Sequence, residues 1–220
     1  MFKAIKMGTI TFAVASLLML CFAGCQKDAS RTGGQVPEEQ QGFGYVLSGS
    51  SASPVRIDVF SDLQCPACSD LFIRTLLPAM KEYQDRVSVV YHEFPLSGHQ
   101  YSRPAARYVA AAAKLGTRQV LSVYEAIFND QTYWAMDGSM ESSVANALSM
   151  GDFMRVRQIL EDANSVAEID DAIERERQFG LLRGVGSTPT MFISHEGRTQ
   201  KVEGTMPYQV MKQFLDPLVN

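Results

Sequence analysis

Residues 55–94 limit what this chain can fold into more than any other stretch. VRIDVF at 55–60 alternates and is rich in β-branched side chains, which makes it a strand. PACSDLFIRTLLPAMKEYQ at 66–84 repeats Phe72, Leu76, Leu77 and Met80 at helical spacing. Pro66 takes the first helical position, where a lost N–H costs nothing, and Pro78 predicts a kink. VSVVYHEF at 87–94 is a second strand, so the segment reads as a βαβ unit with parallel strands and the chain as α/β. Cys65 and Cys68 sit where the first strand hands over to the helix.

The pattern then changes. Residues 99–183 hold almost no strand signal, only successive helical stretches separated by Gly, Asn and Asp. Strand character returns at TMFIS, 190–194, and RTQKVEG, 198–204, with HEG between them as a hairpin turn. PYQVMKQFLDPLV closes the chain as a helix. An α/β sheet interrupted by an all-helical block at about 97–183 and then completed is an insertion architecture.

The N-terminus lies outside that fold. Lys3 and Lys6 precede an uncharged apolar run, 7–23, which reads as a secretory signal over residues 1–24, with an uncleaved membrane anchor as the alternative. FAGC at 22–25 resembles the lipobox of bacterial lipoproteins, with Phe22 in place of the usual Leu, and this resemblance implies acylation of Cys25. Gln26 after that cysteine resembles the sorting signal for an outer membrane, where the host has one. Residues 25–42, rich in Gln, Gly and charge, read as a flexible tether, and 43–220 as the folded domain. With Cys21 in the signal and Cys25 acylated, Cys65 and Cys68 are the thiols that remain, and no disulfide framework is left to build. The formal charge of −4 over 220 residues gives no electrostatic case for nucleic acid.

A pair of thiols at a helix start is a redox couple, half a metal site, a lone nucleophile with a bystander, or two inert residues. Cys65 meets the positive end of the helix dipole and unpaired N–H groups, both of which favour thiolate. A CxxC setting lowers such a pKa from about 8.5 into a range of about 3.5 to 7.5. Cys68, one turn deeper, is the natural resolving thiol for a mixed disulfide on Cys65. Zinc would have to recruit two of His92, His99 and His195, whose spacing fits no finger or ribbon and predicts surface or capping residues, so no metal is expected. A cysteine hydrolase pairing Cys65 with His92 or His195 leaves Cys68 and Pro66 unexplained. A tethered binding module, gripping a partner with Tyr108, Tyr124, Phe128, Tyr133 and Trp134 beside an inert CxxC, is the remaining alternative, although aromatics at helical spacing are usually core.

SDLQCPACSDLF, followed far downstream by GVGSTPTMFI, resembles the DsbA-like branch of the thioredoxin superfamily. The resemblance covers roughly 43–218. It implies a thioredoxin fold with an inserted all-helical domain, and a cis-proline loop, here Thr188 and Pro189, facing the cysteines and shaping the substrate groove. It also implies thiol:disulfide exchange through Cys65-Pro66-Ala67-Cys68 with no bound cofactor. The implied partners are exported protein substrates, a membrane redox protein that resets the couple, and the lipid bilayer through the N-terminal anchor. Ala67 stands where the strongly oxidising members carry His, so a weakened oxidase is expected, with reductase or isomerase as alternatives. Family members commonly carry a glutamate six residues before the first cysteine, where this chain has Val59. Asp58 is one residue off and by alternation faces the other side of the sheet. The Cys68 proton is then left to water or to an acid such as Glu93, whose place at a strand end predicts a solvated residue. Asp62 matches a family position and equally suits a turn.

Overall fold

In the computed structural model, which describes residues 44–219, five strands form one sheet in the order β1-β3-β2-β4-β5. β2 (Val55–Ser61) and β3 (Val87–Glu93) run parallel, and the other neighbouring pairs are antiparallel. Between them run α1 (Pro66–Leu71), a π-helical turn (Phe72–Leu76) and α2 (Leu77–Tyr83). The expected kink takes the form of that π turn. Leu77 N–H reaches Phe72 O, and Pro78, which cannot donate, falls in the first turn of α2 where no partner is needed.

The helical block comprises α3 (Ser102–Ala113), α4 (Thr117–Asn129), α5 (Gln131–Trp134), α6 (Glu141–Ala147), α7 (Met150–Glu161) and α8 (Ala163–Leu182). Ala105, Ala106, Ala111 and Ala112 are fully buried, so much of α3 faces the interior with small side chains. β4 (Thr190–His195) and β5 (Arg198–Glu203) form the hairpin, joined by Glu196 and Gly197, both at positive φ as a two-residue primed turn requires. α9 (Tyr208–Val219) ends the described chain. β1 (Tyr45–Ser48), antiparallel to β3, has no counterpart in the sequence reading.

Period-2 alternation splits the sheet into two unlike faces. Ile57, Val59, Val89, Tyr91 and Met191 join the main core beneath Cys68, Leu71 and Phe72 of the first helix and Tyr124 and Phe128 of α4. Phe60, Phe94, Val185 and Phe192 form a separate cluster against Phe179 of α8. Gly180 lets α8 settle there, because a Cβ would lie 2.7 Å from the Phe94 ring and 2.9 Å from that of Phe60.

On this second face Asp58 is 5% exposed and His92 wholly buried, overturning the expectation that each histidine is a surface or capping residue. His92 Nε2 lies 2.9 Å from Asp58 and Nδ1 2.5 Å from Glu176 of α8, with the ring stacked on Phe60. Burial alone would push the imidazole pKa down, but the hydrogen bonds and charges of Asp58 and Glu176 raise it above its ordinary value. Arg56 also pairs with Asp58, and Arg183 lies 3.4 Å from its other oxygen. His195, at the end of β4, bonds the Pro54 carbonyl just before β2, and His99 lies beside Asp62. Glu93 corrects a second expectation. Far from solvated, it is 2% exposed on the first face and accepts from the Tyr124 hydroxyl at 2.5 Å. Tyr124, Phe128 and Trp134 are core, Tyr108 is half-buried and Tyr133 is exposed. Cys25 and the segments 1–24 and 25–42 lie outside the described residues.

Candidate active site

β2 ends at Ser61, and Asp62, Leu63 and Gln64 turn the chain into α1. Asp62, wholly buried, braces that turn. Its carboxylate accepts from Gln64 N and Leu96 N, each at 2.7 Å, and from the Ser102 hydroxyl. Gln131 of α5 closes the other side, giving Nε2–H to Leu63 O at 2.7 Å and Cys65 O at 3.1 Å. The approach to the cysteines is thus held by both the sheet and the helical block.

Cys65 occupies the N-cap of α1 in extended conformation, followed by exposed Pro66 and half-buried Ala67. Both cysteines are thiols. Cys65 is pulled down from 9.0 to about 6 by a hydrogen bond from the Cys68 side chain, with smaller help from the N–H groups of Cys68 and Ala67 at the helix start. Burial pushes Cys68 well up, and its nearness to the Cys65 sulfur adds to the rise. The two thiols are therefore unlike: one near the surface and acidic, one wholly buried and reluctant to ionise.

Thr188 and Pro189, joined by a cis peptide bond, come to the same place from the far end of the chain. The Cys65 thiol donates to Thr188 O at 3.5 Å. The structure therefore brings together Cys65, Cys68, Thr188 and Pro189. Asp58 stays on the opposite face of the sheet, as alternation requires. Glu93 shares the cysteine face, and burial pushes its carboxyl up from 4.5 to about 8.

A thioredoxin family's sequence model matches residues 44–216. The chain belongs to the thioredoxin family. Its fold is DsbA-like, with the helical block set into the thioredoxin sheet between β3 and β4. The thiol-disulfide exchange protein alpha-DsbA2 of Wolbachia pipientis superposes with a TM-score of 0.65 at 20% identity, over 80% of this chain and 87% of that one. DsbA2 of Pseudomonas aeruginosa is 25% identical with a TM-score of 0.62, over 81% of this chain and 97% of that one. The catalytic domain of Proteus mirabilis ScsC gives 0.61 at 18%, over 78% and 87%. No curated protein sequence matches the chain.

This thioredoxin-family site also holds residues that the sequence reading passed over. Ser61 and Tyr91 lie on the cysteine face, and the signal that finds them is the alternation that set Asp58 aside, since both share the phase of Val59. Gln131 had no such signal, because α5 reaches the turn only through the folding of the insert.

Proposed function

We propose that the chain is an exported, lipid-anchored thiol:disulfide oxidoreductase that donates disulfides to protein thiols through its CPAC couple. In this reading Cys65 is the sulfur that substrates attack and Cys68 the sulfur that leaves or resolves. The backbone of Thr188 and Pro189 pairs with an extended substrate segment beside Cys65. Cys25 carries the lipid, and a membrane redox protein restores the disulfide. The observation that carries the reading is the asymmetry of the thiols, an acidic Cys65 at the helix start beside a buried Cys68, with the Thr188 carbonyl 3.5 Å from the outer sulfur.

Direction follows from Ala67, which offers the Cys65 thiolate no side-chain donor. The reduced state is then less favoured than in DsbA, and the potential falls below about −120 mV toward, without reaching, the value of about −270 mV of thioredoxin. Equilibration of the couple against glutathione tests this. A potential at or below that of thioredoxin would make the protein a reductant. Cys68→Ala should accumulate mixed disulfides with exported proteins and Cys65→Ala should not; the reverse pattern would exchange the two roles. Labelled palmitate should enter the wild type and not Cys25→Ser, and equal labelling of the two would remove the lipid anchor.

A further inference from the structure

We infer that Asp62 is a positioning residue for the buried sulfur, its carboxylate fixing the peptide whose N–H holds the Cys68 thiolate when the Cys65–Cys68 bond opens. The inference rests on the disulfide-exchange reading and names a residue for that reaction. The Asp62 N–H donates to Cys68 Sγ at 3.5 Å. The peptide that carries it is held at its other edge, where Ser61 O accepts from Phe94 N at 2.8 Å. In a trans peptide the C=O and N–H point to opposite sides, so the bond to Phe94 turns the Asp62 N–H the other way. Asp62 O, in the next peptide, accepts from Cys65 N at 3.1 Å. One residue thus bonds to both cysteines through its main chain.

The wholly buried side chain of Asp62 is engaged on the same turn. Oδ1 accepts from Gln64 N at 2.7 Å, an Asx turn, and from the Ser102 hydroxyl at the start of α3. Oδ2 accepts from Leu96 N at 2.7 Å, and His99 Nδ1 lies 3.0 Å from it without the alignment of a hydrogen bond. Gln64 leads into α1, whereas Leu96, His99 and Ser102 belong to the segment that opens the helical block. The aim of the Asp62 N–H is therefore set by the insert as well as by the sheet.

Cys68 needs such a donor because it is wholly buried and yet carries a full negative charge in the reaction. A substrate thiolate attacks Cys65 Sγ, the new S–S bond forms as the Cys65–Cys68 bond breaks, and the electron pair leaves on Cys68 Sγ. In the return step that thiolate attacks Cys65 Sγ and expels the substrate sulfur with its electron pair. Burial pushes the Cys68 thiol up, and the Asp62 N–H works against that rise. A main-chain N–H suits the task, since it keeps its proton near neutral pH and brings no second ion. A hydrogen bond to a charged acceptor is also among the stronger ones. The Asp62 carboxylate, being negative, opposes a thiolate nearby, so the side chain helps through placement and not through charge.

Placement and charge are separable. Asp62→Asn and Asp62→Ala both remove the charge, but asparagine keeps an oxygen for Gln64 N and Ser102 and alanine keeps none. In a Cys65→Ala background, ultraviolet thiolate absorbance is followed as pH is raised, read against Cys65→Ala with Cys68→Ala. The other titratable groups near the sulfur, Tyr91 and beyond it Glu93 on β3 with His99 beside position 62, are common to every variant. Asp62→Ala should titrate about one pH unit above Asp62→Asn, a roughly tenfold loss of thiolate at fixed pH. Equal midpoints, or a lower one in Asp62→Ala, overturn the inference. A second measurement leaves position 62 untouched. In Cys65→Ala, the Asp62 amide proton resonance should move downfield as Cys68 ionises, further than those of Leu63 and Gln64, and an unmoved Asp62 amide overturns the inference whatever the variants do. With both cysteines present, Asp62→Ala should release a mixed-disulfide peptide about threefold more slowly than Asp62→Asn, the tenfold loss of thiolate being partly offset by the greater nucleophilicity of a more basic sulfur. Equal release rates would remove Asp62 from the reaction. The titration and the resonance use no substrate, so their failure stands apart from failure of disulfide exchange, which would show as an inactive wild type.

Discussion

Replacing Glu93 with glutamine should make the protein more stable above neutral pH. Below 4.5 the carboxyl is neutral in folded and unfolded chains alike and costs nothing. As pH rises the unfolded chain releases the proton while the buried residue keeps it, so every further unit favours unfolding, until Glu93 itself ionises at about 8. Each pKa unit in that interval is about 1.4 kcal/mol, and the cost of holding Glu93 in the core builds to roughly 5 kcal/mol, a large share of a domain's stability. Glutamine keeps an oxygen for the Tyr124 hydroxyl and has no proton to hold. Urea unfolding of wild type and Glu93→Gln from about pH 5 to pH 9 measures the difference. His92 titrates in both proteins and cancels. The two stabilities should diverge steadily as pH rises, with Glu93→Gln ahead and the gap levelling above about pH 8 at several kcal/mol. Parallel curves would refute a neutral, buried Glu93.

On the opposite face, His92→Gln should cost about 3 to 5 kcal/mol near pH 6, because Asp58 and Glu176 lose the cation between them. The raised His92 pKa means that this contribution is complete below about 6.5 and fades as pH climbs through the folded value, so the penalty should shrink in alkaline urea titrations. Gly180→Ala should lower stability by about 1 to 3 kcal/mol in thermal or urea unfolding, since the added methyl meets the Phe60 and Phe94 rings. Ala67→His should raise the reduction potential by about 30 to 60 mV against glutathione, matching one charge-assisted bond to the Cys65 thiolate. An unchanged potential would remove Ala67 as the cause of weakened oxidising power.

What the sequence disclosed was whatever a local period could encode. VRIDVF, VSVVYHEF and TMFIS carry their strand character in their own side chains, and alternation was enough to turn Asp58 away from the cysteines. CPAC at a strand-to-helix junction announced an acidic thiol for the same reason. β1 escaped because its four residues, YVLS, become a strand only by pairing with β3. Glu93 and His92 were misjudged because their burial comes from Tyr124 and Glu176, which arrive from helices far along the chain. Strand phase says which way a side chain points and nothing about what will cover it.

The separation of the two halves of the site has a consequence for biosynthesis. Cys65 and the Thr188 carbonyl beside it are 123 residues apart in sequence. A chain made from its N-terminus completes the β2-α1-β3 unit early, and the whole helical block must follow before β4 can take its place along β2. Until then the acidic sulfur has no proline loop over it, and one edge of β2 lies open. The nascent protein therefore carries an unguarded thiol on a half-built sheet until β4 is made, and a truncation anywhere before residue 188 leaves the cysteines without the loop that faces them. The pairing of β4 with β2 closes one of the longest loops in the fold, an entropy cost that the early β2-α1-β3 unit does not carry. β4 is the strand that brings the proline loop to a reactive pair of cysteines.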